Sequence, residues 1–217
     1  MYRALAIKEL RESAGLLALA VLAVGYALAE LTGTPLLPGW RSEVNALPFV
    51  SDELWFYLWA IGGGLAILLG LKQTAWEAMR GTFQFLLHRP LPRANIFWFK
   101  IAFGLLVMQG LTAAWILLYA LWAATPGNHD APFYWSMTLK ALRVWLCLPI
   151  LYLGAFLSGL RPAHWFATRL APLIAAALFF TVLVGPPWWW SLWIPLWAFI
   201  LAAQFLAIFY YVRYRDY

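Results

Sequence analysis

The chain has 217 residues, of which 65% are hydrophobic and 11% charged, and its formal net charge is +6. A soluble domain is about 45–50% apolar and about 25% charged, so this much apolar surface has no soluble core to hide in, and its solvent is lipid. The basic excess does not mark a nucleic-acid binder, because the cations sit in short segments between apolar runs, the pattern that positive-inside bias leaves in a membrane protein.

In chain order, the first segment is MYRALAIKELRES. Ile7, Leu10, Ala14 and Leu17 share one helical face there, and Lys8 and Glu12 stand at i, i+4. It reads either as an interfacial helix over residues 1–13 or as the charged flank of the first span. Ala27-Leu28-Ala29 mimics a signal-peptidase site, but Glu9 and Glu12 are foreign to a basic leader, so the segment is expected to stay as part of the chain.

A membrane-crossing helix needs about 20 mostly apolar residues. Six segments meet that need: Ala14 to Leu31, Leu54 to Leu71, Ile96 to Ala124, Trp135 to Leu160, Leu170 to Val184, and Trp190 to Val212. The expected fold is therefore all-α, a single polytopic domain over residues 1–217 with six transmembrane helices. Pro149, Pro172 and Pro195 fall in these segments. Lipid-embedded helices tolerate proline where a neighbour satisfies the freed carbonyl.

The longest polar interruption is Lys72 to Lys100, and segment 72–95 joins spans two and three. Trp76, Met79, Phe83 and Leu86 share one helical face, with Glu77, Arg80, Gln84 and His88 on the other, until Pro90 and Pro92 stop the helix. This two-faced pattern suits a helix that lies on the membrane surface or docks on a partner. Lys72 and Lys100 are expected to mark the membrane surface, and Arg80, Arg89 and Arg93 to contact the partner.

With six spans, twelve of the fifteen Lys and Arg residues fall on the side of the termini, and only Arg41, Lys140 and Arg143 on the other. That places both termini and segment 72–95 in the cytoplasm. The span centres carry no charge, and this lack of a buried acid argues against a proton- or sodium-driven carrier. Lys140 and Arg143, near the outer end of span four, either snorkel to the surface or line an outer vestibule that attracts an anionic head group. The tryptophans at Trp188, Trp189 and Trp190 fit an interfacial aromatic belt.

No catalytic or metal-binding constellation emerges. His88, His129 and His164 lie in separate loops, and Cys147 is the only cysteine. The pairs Gly154/Ser158 and Ala155/Gly159 have the small-xxx-small spacing of close helix packing. There is no phosphate-binding loop, so any ATP-driven work requires another chain.

Three segments together resemble the permease subunits of ABC type-2 exporters. They are Ile7-Lys8-Glu9-Leu10-Arg11-Glu12 before span one, Glu77-Ala78-Met79-Arg80-Gly81-Thr82 followed by Leu86 to Arg93, and Ile96-Phe97-Trp98-Phe99-Lys100 leading into span three. The chain departs from that family in its short outer connection between spans five and six and in its heavy tryptophan load. The resemblance implies an inner-membrane exporter for a lipidic or amphiphilic passenger, made of two permease chains, identical or not, and separate ATPase subunits that hold the ATP and Mg²⁺. It makes the helix from Trp76 to His88 a coupling helix, with Trp76, Glu77, Met79, Arg80, Phe83, Arg89 and Arg93 meeting the ATPase. Charge reversal at Glu77 or Arg80 would then uncouple hydrolysis from export without unfolding the permease. The competing expectation is a non-catalytic membrane scaffold subunit of a larger complex.

Overall fold

A computed structural model describes residues 2–34, 47–50, 52–79, 92–129, 132–161, 166–185 and 190–214. Every regular element among them is helical. Helix α1 is Tyr2–Leu31. Helix α2 is a continuous run of α-helical Asp52–Tyr57, π-helical Leu58–Gly62, α-helical Gly63–Leu71, π-helical Lys72–Trp76 and α-helical Glu77–Met79. Then follow α3 (Arg93–Ala124), a 3₁₀ turn at Trp135–Thr138 leading into α4 (Leu139–Leu160), α5 (Phe166–Val184) and α6 (Trp190–Tyr214). Helices α1, α2, α3, α4 and α6 are long and apolar enough to cross a membrane, while α5 offers a shorter apolar stretch, Thr168–Val184. The chain is a multi-pass helical membrane protein.

Helix α1 runs unbroken from Tyr2, so the charged N-terminal turns continue directly into the first apolar span. Its inward stripe is Leu5, Glu9, Ser13, Ala20, Val24 and Ala27, whereas Ile7 and Leu10 are exposed. The stripe thus carries two polar side chains, Glu9 and Ser13, inward among apolar ones. Helix α1 ends at Leu31 and the chain turns away at Gly33, whose φ of +77° only glycine adopts freely. There the Thr34 N–H bonds the Ala29 carbonyl and the Gly33 N–H bonds that of Glu30, capping the last turn.

Contacts at both ends show that successive helices alternate in direction. At one end Glu9, Glu77 and Lys100 meet, Gly159 abuts Thr74, and Arg161 bonds the Tyr211 hydroxyl. At the other, the Phe49 ring packs 4.9 Å from Tyr119 and 6.0 Å from Phe133, and the Trp193 indole bonds the Leu183 carbonyl. The first end, here the charged end, therefore holds the start of α1 and the end of α6.

Helix α4 is the central pillar. Its apolar window is 72% buried within the chain, against 11% for that of α6. The two small-residue pairs serve different neighbours. Ala155 and Gly159 face α2, where a Cβ on Gly70 would lie 2.6 Å from the Tyr152 carbonyl and 2.9 Å from the Ala155 Cβ. Gly154 and Ser158 face α5: a Cβ on Gly154 would collide with Ala176, and the Ser158 hydroxyl accepts a bond from the Leu173 N–H at 3.0 Å.

Two proline sites have the support that the membrane interior demands. Pro149 frees the carbonyl of Trp145, four residues back, and the Gln109 amide donates to it at 3.2 Å. Pro172 frees the Thr168 carbonyl, which accepts from the Arg161 guanidinium at 3.1 Å.

Candidate functional site: a buried charge cluster joining three helices

The second π-helical stretch, Lys72–Trp76, lies at the charged end of α2. A π turn widens the helix locally and often marks functional positions. Here Gln73, Thr74 and Glu77 turn inward, while Trp76 and Met79 are exposed. Inward from α1 comes Glu9, and from α3 comes Lys100, which is wholly buried.

The Lys100 ammonium lies 2.9 Å from Glu9 Oε1 and 2.5 Å from Glu77 Oε1. Lys8, on the wetter side, bonds Glu77 Oε1 at 2.9 Å and lies 3.3 Å from Glu12 at the i, i+4 spacing. A polar shelf continues inward. The Gln73 amide donates to Glu9 Oε2 at 3.3 Å and to the Lys100 carbonyl at 3.2 Å, while the Tyr152 hydroxyl of α4 donates to Gln73 Oε1 at 2.6 Å. Gly104 makes room for this shelf, since a Cβ there would collide with the Tyr152 hydroxyl and lie 2.8 Å from Gln73 Oε1. The Ser13 hydroxyl turns back onto the Glu9 carbonyl, satisfying itself within α1.

An unpaired buried charge is very costly, and removing one partner of a buried pair typically costs about 3–5 kcal/mol. Lys100 shared between two carboxylates therefore makes α1, α2 and α3 hold one another at this end. Glu9, Glu12 and Glu77 each bring a carboxylate oxygen within 4.8 Å of the others. The Lys8 and Lys100 ammoniums stand among them and already supply the cationic charge that a metal ion would bring.

Two sequence expectations change. Buried acids do exist, because Glu9 and Glu77 are closed off from solvent; the apparent lack of one followed from reading each helix alone. Lys100 is not a solvated marker on the outside of the bundle, since its ammonium is enclosed by carboxylates from two other helices. Glu77 lies inside the cluster rather than on a docking surface, whereas Trp76 and Met79 are outward-facing. Arg80, Phe83, Leu86, His88 and Arg89 lie outside the described residues. Arg93 opens α3, but its side chain is likewise outside them.

At the opposite end, Lys140 is exposed. The half-buried Arg143 lies over the Trp193 ring, 5.6 Å from its centroid, joining α4 to α6. The His129 Nε2 bonds the Ala123 carbonyl at 2.6 Å and helps to cap α3.

Sequence reasoning missed the partnership of Glu9, Gln73, Lys100 and Tyr152. One signal was available: Leu5, Glu9 and Ser13 recur every four residues, which places an acid on the inward stripe of α1. No family model, curated protein or solved structure matches the chain.

Proposed function

We propose that this chain is the membrane-spanning permease of an ATP-driven exporter of the ABC type-2 kind, powered by a separate ATPase chain. One observation carries the reading. The three segments on which the resemblance rests, remote in sequence, meet through Glu9, Glu77 and Lys100 in one buried ion-pair cluster. A transporter driven from outside the membrane needs a stiff joint where the push arrives. A force on the connection between α2 and α3 would reach α1, α2 and α3 together through Lys100, and α4 through Tyr152.

In this reading α5 is the sixth crossing. Its 19 residues span about 28 Å at 1.5 Å each, close to the roughly 30 Å hydrocarbon core. The charged end faces the cytoplasm. Exposed Trp76 and Met79, with Arg80, Phe83, Arg89 and Arg93, form the ATPase-contact surface, and Glu77 acts from within as the anchor of that helix. A second permease chain completes the transporter, and the passenger is lipidic or amphiphilic.

The test is purification from native membranes in mild detergent. A co-eluting chain with a phosphate-binding loop and vanadate-sensitive ATP hydrolysis is expected, and Trp76→Ala/Met79→Glu should reduce its recovery. Co-elution of redox subunits without ATPase activity would refute the reading in favour of a scaffold subunit.

A further inference from the structure

A groove of about 650 Å³ runs along the side of the bundle between α1, α2 and α5. That size lies within the roughly 300–1,000 Å³ of small-molecule sites. Its walls change character along the membrane normal. Leu16, Leu68 and Leu173 line it toward the bilayer interior, whereas Lys72 and Arg169 line it toward the charged end. Trp76 stands at its rim, half exposed. Among the described residues no acid lines the groove. Lys72 also borders the small cavity beside Glu9, Glu12 and Glu77, yet neither Lys72 nor Arg169 forms an ion pair among the described residues.

We infer that this groove holds a resident anionic phospholipid of the leaflet at the charged end, its acyl chain against Leu16, Leu68 and Leu173 and its phosphate between Lys72 and Arg169. Charge complementarity selects the occupant. Among the described residues the two cations have no acidic partner and stand above an apolar cleft, and basic pockets between transmembrane helices recognise anionic head groups in this way. The inference concerns a structural lipid, not a passenger, and stands whether or not the chain is an exporter.

The experiment is native mass spectrometry of the delipidated full-length protein, titrated with phosphatidylglycerol or with phosphatidylcholine of the same acyl chains. A preference for phosphatidylglycerol is expected. Each cation near the membrane surface contributes about 1 kcal/mol, about fivefold in affinity at 1.4 kcal/mol per tenfold. Lys72→Gln/Arg169→Gln should therefore weaken phosphatidylglycerol binding about 30-fold and phosphatidylcholine binding much less, because the choline ammonium already offsets its phosphate, so the preference is lost. The charge-keeping Lys72→Arg/Arg169→Lys should retain the preference, which separates lost charge from lost fold. Equal binding of both lipids by the native chain, or an intact preference in the double Gln variant, would overturn the inference. So would efficient cross-linking of Leu68→Cys between two copies, which would make the occupant protein.

Discussion

Replacing Lys100 by Met tests the charge cluster most directly. The substitution keeps most of the side chain's length and removes only the buried ammonium, leaving the Glu9 and Glu77 carboxylates, both almost fully buried, facing each other with partly exposed Lys8 as their nearest cation. Removing one partner of a buried pair costs about 3–5 kcal/mol. For a chain of this size each 1 kcal/mol moves the melting temperature by about 2–4 °C, so K100M should melt about 6–20 °C lower. Adding E77Q discharges one of the stranded carboxylates, so K100M/E77Q should regain at least half of the loss. The control is Lys140→Met at an exposed position, where no resolvable shift is expected. Circular dichroism or tryptophan fluorescence melts in one detergent, at matched heating rates, would measure all three. A K100M shift under 2 °C, or losses in K100M/E77Q that simply add, would refute the view that Lys100 binds the three helix ends together. The same geometry revises the expectation for Glu77: its charge reversal would set a third cation beside Lys8 and Lys100, so destabilisation should accompany any effect on coupling.

Other outcomes follow from the packing. Gly70→Leu should destabilise by more than about 3 kcal/mol, since overpacking typically costs 1–3 kcal/mol and the obstacle here is the α4 backbone; loss of a monodisperse elution peak would report it, and unchanged elution and melting would contradict the crossing. Gln109→Leu should cost about 1–3 kcal/mol by stranding the Trp145 carbonyl. Pro149→Ala should recover most of that loss in the same thermal assay, because the helix then satisfies the carbonyl itself. In a Cys147→Ala background, single cysteines introduced at Lys8 and Tyr214 should react with impermeant thiol reagents from one side of sealed vesicles, and one at Asn128 from the other. Labelling of all three from one side would contradict the alternating helices.

Much of the architecture is visible in the sequence because lipid imposes a one-dimensional rule. A helix must be long and apolar to cross, so each expected span falls on one of α1 to α6, the fourth beginning in the 3₁₀ turn before α4, while both ends of the polar stretch Lys72 to Lys100 prove to be helical continuations of α2 and α3. The small-residue spacings in α4 likewise announced close packing, since contact between backbones needs residues without bulk. Yet the identical pattern could not say that Gly159 serves α2 and Gly154 serves α5. Nor could periodicity assign Glu77 its fate. A helical wheel set it opposite Trp76, which holds, but a polar face is free to meet solvent, a partner chain or another helix.

Composition and local spacing determined a multi-pass helical bundle whose cations gather at one end, because the cost of burying charge and backbone in lipid acts on each segment separately. Only the tertiary structure decided that Glu9, Glu77 and Lys100 leave that solvated population to neutralise one another inside it. Their attraction depends on distance in space, and no sequence interval encodes the few ångströms that separate residues from three different helices.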